Sequence, residues 1–168
     1  MKYLLSFVLI SCLSIQAQEL KLAIPKTEVT FFFHGEKVNG TVEGFDGTIN
    51  INLNDLKKSK VQGSVDVSTI QTGIKMRDRH LNSSDYFDSE KFPKMTFVST
   101  SITEVGDKLL VKGKLTIKET TREVHFELVI EENNIVFTST INTEDYDVMK
   151  KKKREKTEVD ITVNVPLS

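Results

Sequence analysis

The run Val124-His125-Phe126-Glu127-Leu128-Val129-Ile130-Glu131-Glu132-Asn133-Asn134-Ile135-Val136-Phe137-Thr138-Ser139-Thr140-Ile141 decides the fold class. Val124, Phe126, Leu128 and Ile130 fall on every second residue, and Ile135, Phe137 and Ile141 do the same around Ser139. A period of two is the signature of a strand with one dry and one wet face. Only Glu131-Glu132-Asn133 separates the two runs. A parallel crossover needs about a dozen residues or more, so this pair is antiparallel.

The same pattern extends in both directions. Val29, Phe31 and Phe33 share one face, and so do Val61, Gly63, Val65 and Val67. Met95 to Thr103 and Leu109 to Ile117 flank the turn Val105-Gly106-Asp107, and Val159, Ile161, Val163 and Val165 close the chain. Gly40 to Leu53 reads as one long strand with Phe45, Ile49, Ile51 and Leu53 on one side. Gly44 and Gly47 lie within it, where a missing side chain permits a bend or bulge. The total is about eight strands, many longer than the usual five or six residues. A closed barrel and a two-sheet sandwich both satisfy such alternation; long strands favour the barrel, which leaves no edge exposed.

Ser68 to Pro93 breaks the pattern. Ile74 to Leu81 reads as a short helix with Thr72 as a weak cap, and Asn82-Ser83-Ser84-Asp85 as a turn. An excursion of this length in a compact β domain is usually a lid or functional loop, here expected to cover the mouth of a cavity. Arg77 and Asp78 read as an ion pair that locks this loop.

Composition narrows the function classes. The 168 residues carry 23 Lys plus Arg and 24 Asp plus Glu, for a formal charge of -1. That balance excludes the basic footprint of a dedicated nucleic-acid binder. One Cys excludes a disulfide framework, and ten Phe without any Trp supply bulk for a core or a cavity wall. His34, His80 and His125 have no metal-ligand spacing, and neither a Gly-x-Ser-x-Gly elbow nor a phosphate-binding loop occurs. The expectation is a protein without catalytic residues, metal or cofactor. His34 follows Phe33 directly and so points to the opposite face, and His125 points to solvent.

The chain opens with the charged start Met1-Lys2-Tyr3 and a short apolar run from Leu4 to Ile15. This is the pattern of a secretory signal peptide, with cleavage expected after Ala17. Residues 1–17 are then the signal peptide and 18–168 the mature domain, periplasmic or secreted and without a thiol. Acylation of Cys12 as a lipoprotein is the less favoured reading, because the apolar stretch before it is very short. The run Lys150-Lys151-Lys152-Lys153-Arg154 lies between the last two strands. It reads as a solvated loop or, alternatively, as a transient contact for an anionic head group or membrane surface.

Thr72-Gly73, Arg77-Asp78, His80-Leu81, Asp85-Tyr86-Phe87-Asp88, Lys91-Phe92-Pro93 and Phe97 together resemble the YceI-like family of exported lipid-binding proteins. Gly113-Lys114-Leu115-Thr116-Ile117 resembles that family's later Gly-x-Leu-Thr-Ile strand, and Gly40, Phe45 and Gly47 its long bent second strand. The resemblance implies an all-β, eight-stranded antiparallel lipocalin-like barrel with a short helical insertion over one end. It also implies a long-chain amphiphile, an isoprenoid-type lipid or quinone, held inside without catalysis, and it allows a homodimer.

On that reading the inward, ligand-binding candidates are Phe31, Phe33, Phe45, Ile49, Val65, Val67, Phe97, Leu115, Phe126, Leu128, Phe137 and Ile141. Arg77, Asp78, Arg79, His80 and Asp85 would meet the head group at the mouth. The alternation alone fits equally a barrel filled by its own side chains, acting through its surface as an interaction or stress-related module.

Overall fold

The computed structural model describes residues 22–149 and 154–168. Residues 1–17, including Cys12, and Lys150 to Lys153 of the basic run lie outside the described residues. The strands are β1 (Glu28–Phe33), β2 (Val38–Val42), β3 (Asp46–Asn50), β4 (Lys60–Asp66), β5 (Lys94–Val105), β6 (Lys108–Ile117), β7 (Thr120–Ile130), β8 (Asn134–Asn142) and β9 (Glu158–Pro166). One α-helix, α1, spans Lys75–Asn82. Every strand pairing is antiparallel, in the order β2-β1-β9-β8-β7-β6-β5-β4-β3.

The sheet holds nine strands rather than the expected eight, and the difference has a local cause. Gly40 to Leu53 is not one strand: it breaks at Glu43-Gly44-Phe45 into β2 and β3. Gly44 has φ +71°, and a Cβ there would lie 2.2 Å from Asp66 Oδ2. Only glycine meets both conditions without strain. Leu53, expected on the dry side, sits past the end of β3 and is exposed.

β2 and β3 are the two outer strands of the sheet and also consecutive in the chain, so the break brings the sheet's edges together. The seam is fastened by backbone hydrogen bonds: Thr41 and Gln71 exchange N–H···O bonds at 2.9 and 3.0 Å, and Asp66 N–H donates to Glu43 O at 3.0 Å. The sheet therefore curls into the lipocalin-like barrel form, with Thr41 of the β2 edge paired across the seam.

Period-two alternation sends one face of each strand inward. At one end, Ile51, Val61, Ile102, Leu109, Val111, Leu128, Ile135 and Val165 form a buried plug. At the other, Phe33, Leu115, Ile117, Ile141, Tyr146, Val148 and Val159 form a second cluster. A small third cluster, Val42, Val67 and Ile70, is covered by Leu81 and Phe87 from the helical excursion.

α1 begins one residue later than expected, and its N-cap residue is Ile74, which makes no side-chain cap bond. Thr72 is not the cap. Its backbone N–H donates to Asp78 Oδ1 at 2.8 Å and its hydroxyl bonds the same oxygen. Arg77 Nε donates to Thr72 Oγ1 at 2.7 Å and Nη2 to Thr72 O at 2.8 Å. Arg77 and Asp78 thus lock the loop through Thr72 rather than through an ion pair with each other. Lys118 Nζ ties the later part of the excursion down by donating to Tyr86 O at 2.8 Å.

Candidate functional site

The interior is shaped by phenylalanines seated on glycines. Phe31 of β1 lies opposite Gly40 of β2, and a Cβ on Gly40 would be 2.1 Å from Phe31 Cζ. Phe97 of β5 lies opposite Gly63 of β4 and covers Gly113 of β6, where a Cβ would fall 2.4 Å from its Cζ. Phe45 covers both Gly47 and Gly63. A glycine facing the lumen gives a ring room to lie back against the sheet, where a side chain would drive it across the centre.

The result is a cavity of about 220 Å³ within the barrel, walled almost entirely by carbon. A single water needs only about 10–15 Å³ of such space, so side chains do not fill the interior. Phe31, Phe45, Val65 and Phe97 are half-buried although they point inward, because what they face is the cavity. Phe97 and Phe126 meet edge to face in the wall, with centroids 5.1 Å apart.

Phe31, Phe33, Phe45, Ile49, Val65, Phe97, Leu115, Phe126, Phe137 and Ile141 all border this space. Two expected wall residues do not. Val67 leaves the strand pattern in a 3-10 turn at Val67–Thr69 and packs with Val42 and Ile70. Leu128 points inward but too far down the axis, into the plug, where it is 1% exposed.

At the mouth, α1 brings Arg77 and Leu81 to the cavity. Of the five expected mouth residues only Arg77 reaches it. Asp78 is half-buried and turned onto Thr72, while Arg79, His80 and Asp85 are exposed and lie outside the cavity. His80 instead packs edge to face on Tyr86, 4.8 Å between centroids. The helix explains this split: residues two apart do not share a face, so Arg77 and Arg79 diverge.

Sequence reading missed other wall residues. Val29, Met95 and Ile117 border the cavity and have the same parity as candidates on their own strands, and Val159, Ile161 and Val163 border it from β9, whose alternation is plain in the sequence but from which no candidate is drawn. Ile70, Leu81 and Phe87 come from the excursion and Val148 and Met149 from the segment after β8, where no periodicity marks them.

Two polar features flank the site. Tyr146 is 1% exposed and its hydroxyl has no hydrogen-bond partner among the described residues. Burial, reinforced by the Asp145 charge against the opposing effect of Arg122, pushes its pKa up to about 12. On the outer surface His34 Nε2 meets Asp160 Oδ2 at 2.7 Å, and Thr140 donates to Asp160 Oδ1 at 2.7 Å. The Thr140 hydrogen bond and His34 hold the Asp160 carboxyl below its ordinary range. His34 and His125 are exposed and face away from the cavity, as their positions in the alternation require. Among the described residues no cluster of three His, Cys, Asp or Glu side chains is placed to hold a metal.

These features define a class: an antiparallel β-barrel with an apolar internal cavity beneath a helical flap. The model of the YceI-like domain matches residues 21–167, and the chain belongs to that family. It is 30% identical to the UPF0312 protein plu2095 of Photorhabdus laumondii over 122 residues, 70% of this chain and 64% of that protein. It is 35% identical to protein YceI of Escherichia coli O157:H7 over 88 residues, 52% of this chain and 46% of that protein. The matched region thus spans less than two thirds of either relative.

Among solved structures, Burkholderia cenocepacia BcnA superposes with a TM-score of 0.79 at 22% identity, covering 88% of this chain and 100% of that one. A polyisoprenoid binding domain from Saccharophagus degradans superposes with a TM-score of 0.59 at 13% identity, covering 88% and 96%. At these identities the likenesses establish the fold.

Proposed function

We propose that this chain is an exported, non-catalytic carrier that holds the tail of a long-chain amphiphile, an isoprenoid-type lipid or quinone, inside its barrel. The observation that carries this reading is the carbon-walled cavity of about 220 Å³ beneath the flap. A polar substrate would find almost nothing there to hydrogen-bond, and leaving its groups unpaired would cost about 1–3 kcal/mol each. A hydrocarbon tail has no such groups and gains about 0.8 kcal/mol per buried methylene. Membership of the YceI-like family and the polyisoprenoid binding domain with the same fold support the same ligand class.

Arg77 is the residue proposed to meet the head group. A guanidinium has five N–H donors, and Thr72 engages those on Nε and one on Nη2. The remaining donors suit a phosphate or a carbonyl oxygen at the mouth. Thr72 and Asp78 act as positioning residues that aim the guanidinium. Arg154, the described member of the basic run, is drawn onto Asp145 at 2.6 Å and Glu144 at 3.8 Å. Any contact of that run with anionic lipid therefore rests on its lysines. Signal-peptide removal after Ala17 and a periplasmic or secreted location belong to the same proposal.

The solid-core alternative is disfavoured by the size of the cavity. The carrier reading is tested with a homologous series of straight-chain alcohols added to the mature protein. Affinity should rise about fourfold per added methylene until the cavity is full and then level off. Affinity independent of tail length would overturn the assignment of the tail to the barrel.

A further inference from the structure

We propose that Phe97 forms the floor of the cavity and sets the longest tail the barrel accepts; this rests on the carrier reading. Inward positions along β5 descend from the mouth to the plug. Met95 packs with the clusters beneath the flap, Ile102 lies in the plug, and Phe97 packs against both the plug and the mouth-side cluster. Phe97 is half-buried and borders the cavity, whereas Ile102 is buried and does not. Along this strand the open space therefore ends at the Phe97 ring.

The neighbouring strands show where that ring lies. Phe97 is paired with Leu115 of β6, a member of the mouth-side cluster, but its ring covers Gly113, the next inward position toward the plug. The inward position after that is Val111, which is wholly buried in the plug and does not border the cavity. Phe126 of β7 is paired with Val111, and its ring meets Phe97 edge to face at 5.1 Å. The two rings thus reach from β5 to β7 across β6, above Val111. Gly113 makes this bridge possible, because a Cβ there would fall 2.4 Å from Phe97 Cζ and drive the ring up into the lumen. A tail that enters at the flap and runs down the axis meets the bridge end on. Each added methylene gains burial until the bridge is reached, and any further length stays at the mouth in contact with water.

The test applies the straight-chain alcohol series to the mature protein and to variants of it. In the wild type, affinity should rise about fourfold per methylene and level off at a break length. Phe97→Leu removes the ring and three carbon atoms but keeps an apolar side chain. Its break should come about three methylenes later, and its best affinity should be about 60-fold above the wild-type maximum. Should the leucine variant not fold, Phe97→Met opens comparable space with a side chain that bends to fit its surroundings. Phe31→Leu makes the same change at the other end of the cavity, where Phe31 packs on the cluster covered by Leu81 and Phe87. It should change the affinity of every alcohol by a similar factor and leave the break at the wild-type length.

A wild-type break that neither Phe97 variant moves would overturn the proposal and leave the carrier reading standing. So would a Phe31→Leu break displaced as far as that of Phe97→Leu, since total volume rather than the floor would then set the length. Wild-type affinity with no dependence on tail length would sink the carrier reading itself, and the role of Phe97 with it.

Discussion

Val65→Phe separates ligand binding from stability by the sign of its two effects. Val65 lies on β4 opposite Met95 of β5, and its half-buried side chain borders the cavity. Phenylalanine adds four carbon atoms, and at this position they extend into space that is otherwise empty. A tail sharing the cavity would give up about four methylenes, about 3 kcal/mol, which is about a 200-fold loss of affinity. Filling an apolar void has the opposite consequence for the free protein, about 0.5–2 kcal/mol of added stability. Titration with a fluorescent long-chain lipid and urea denaturation of the same preparation read both quantities. The expected result is weaker binding in a protein that unfolds at higher urea. Undiminished affinity in a variant that is at least as stable as the wild type would refute the placement of the tail, because the cavity would then be smaller with no effect on binding.

Other perturbations test the scaffold. Gly40→Ala puts a methyl where Phe31 Cζ now sits 2.1 Å away, with Gln71 O at 2.7 Å; the ring must swing into the lumen, and thermal melting should show a loss of about 1–3 kcal/mol together with weaker lipid binding. Thr72→Val removes the hydroxyl that joins Arg77 to Asp78, so hydrogen exchange should quicken across residues 72–82 while the barrel strands keep their protection. Tyr146→Phe removes a buried hydroxyl without a partner among the described residues and should stabilise the protein at pH 7 by about 1–3 kcal/mol. The native phenol holds its proton to about pH 12, whereas an unfolded one ionises near pH 10. Its contribution is thus complete below pH 10 and lost as pH rises toward 12, by up to about 3 kcal/mol. Urea midpoints at pH 8 and pH 11 should fall further apart in the wild type than in the phenylalanine variant.

The barrel was legible because alternation survives in long strands. Val124, Phe126, Leu128 and Ile130 mark β7 without ambiguity, and the three residues after it leave only an antiparallel return. The cavity wall was legible to the same extent, since parity says which face a residue takes. Parity does not say how deep along the barrel axis a residue lies, so Leu128 could not be told from Phe126, although both join the same buried cluster and only Phe126 borders the cavity. Parity also fails once a strand ends, which is how Val67 was placed with Val65 across the turn after Asp66. The openness of the interior had no sequence signature of its own. It depends on Gly40, Gly47, Gly63 and Gly113 lying beneath Phe31, Phe45 and Phe97, a relation between strands that appears only once the register is known. On the helix, the two-residue spacing of Arg77 and Arg79 itself requires different faces, so that part of the mouth is legible in the sequence.

The central claim, a lipid tail inside the barrel, is tested most directly by native mass spectrometry of mature protein purified without detergent, with solvent extraction of the same sample. The account predicts a bound mass that releases as a long-chain lipid and is depleted in Val65→Phe. A clean ligand-free mass that persists after incubation with isoprenoid lipids and quinones would contradict it.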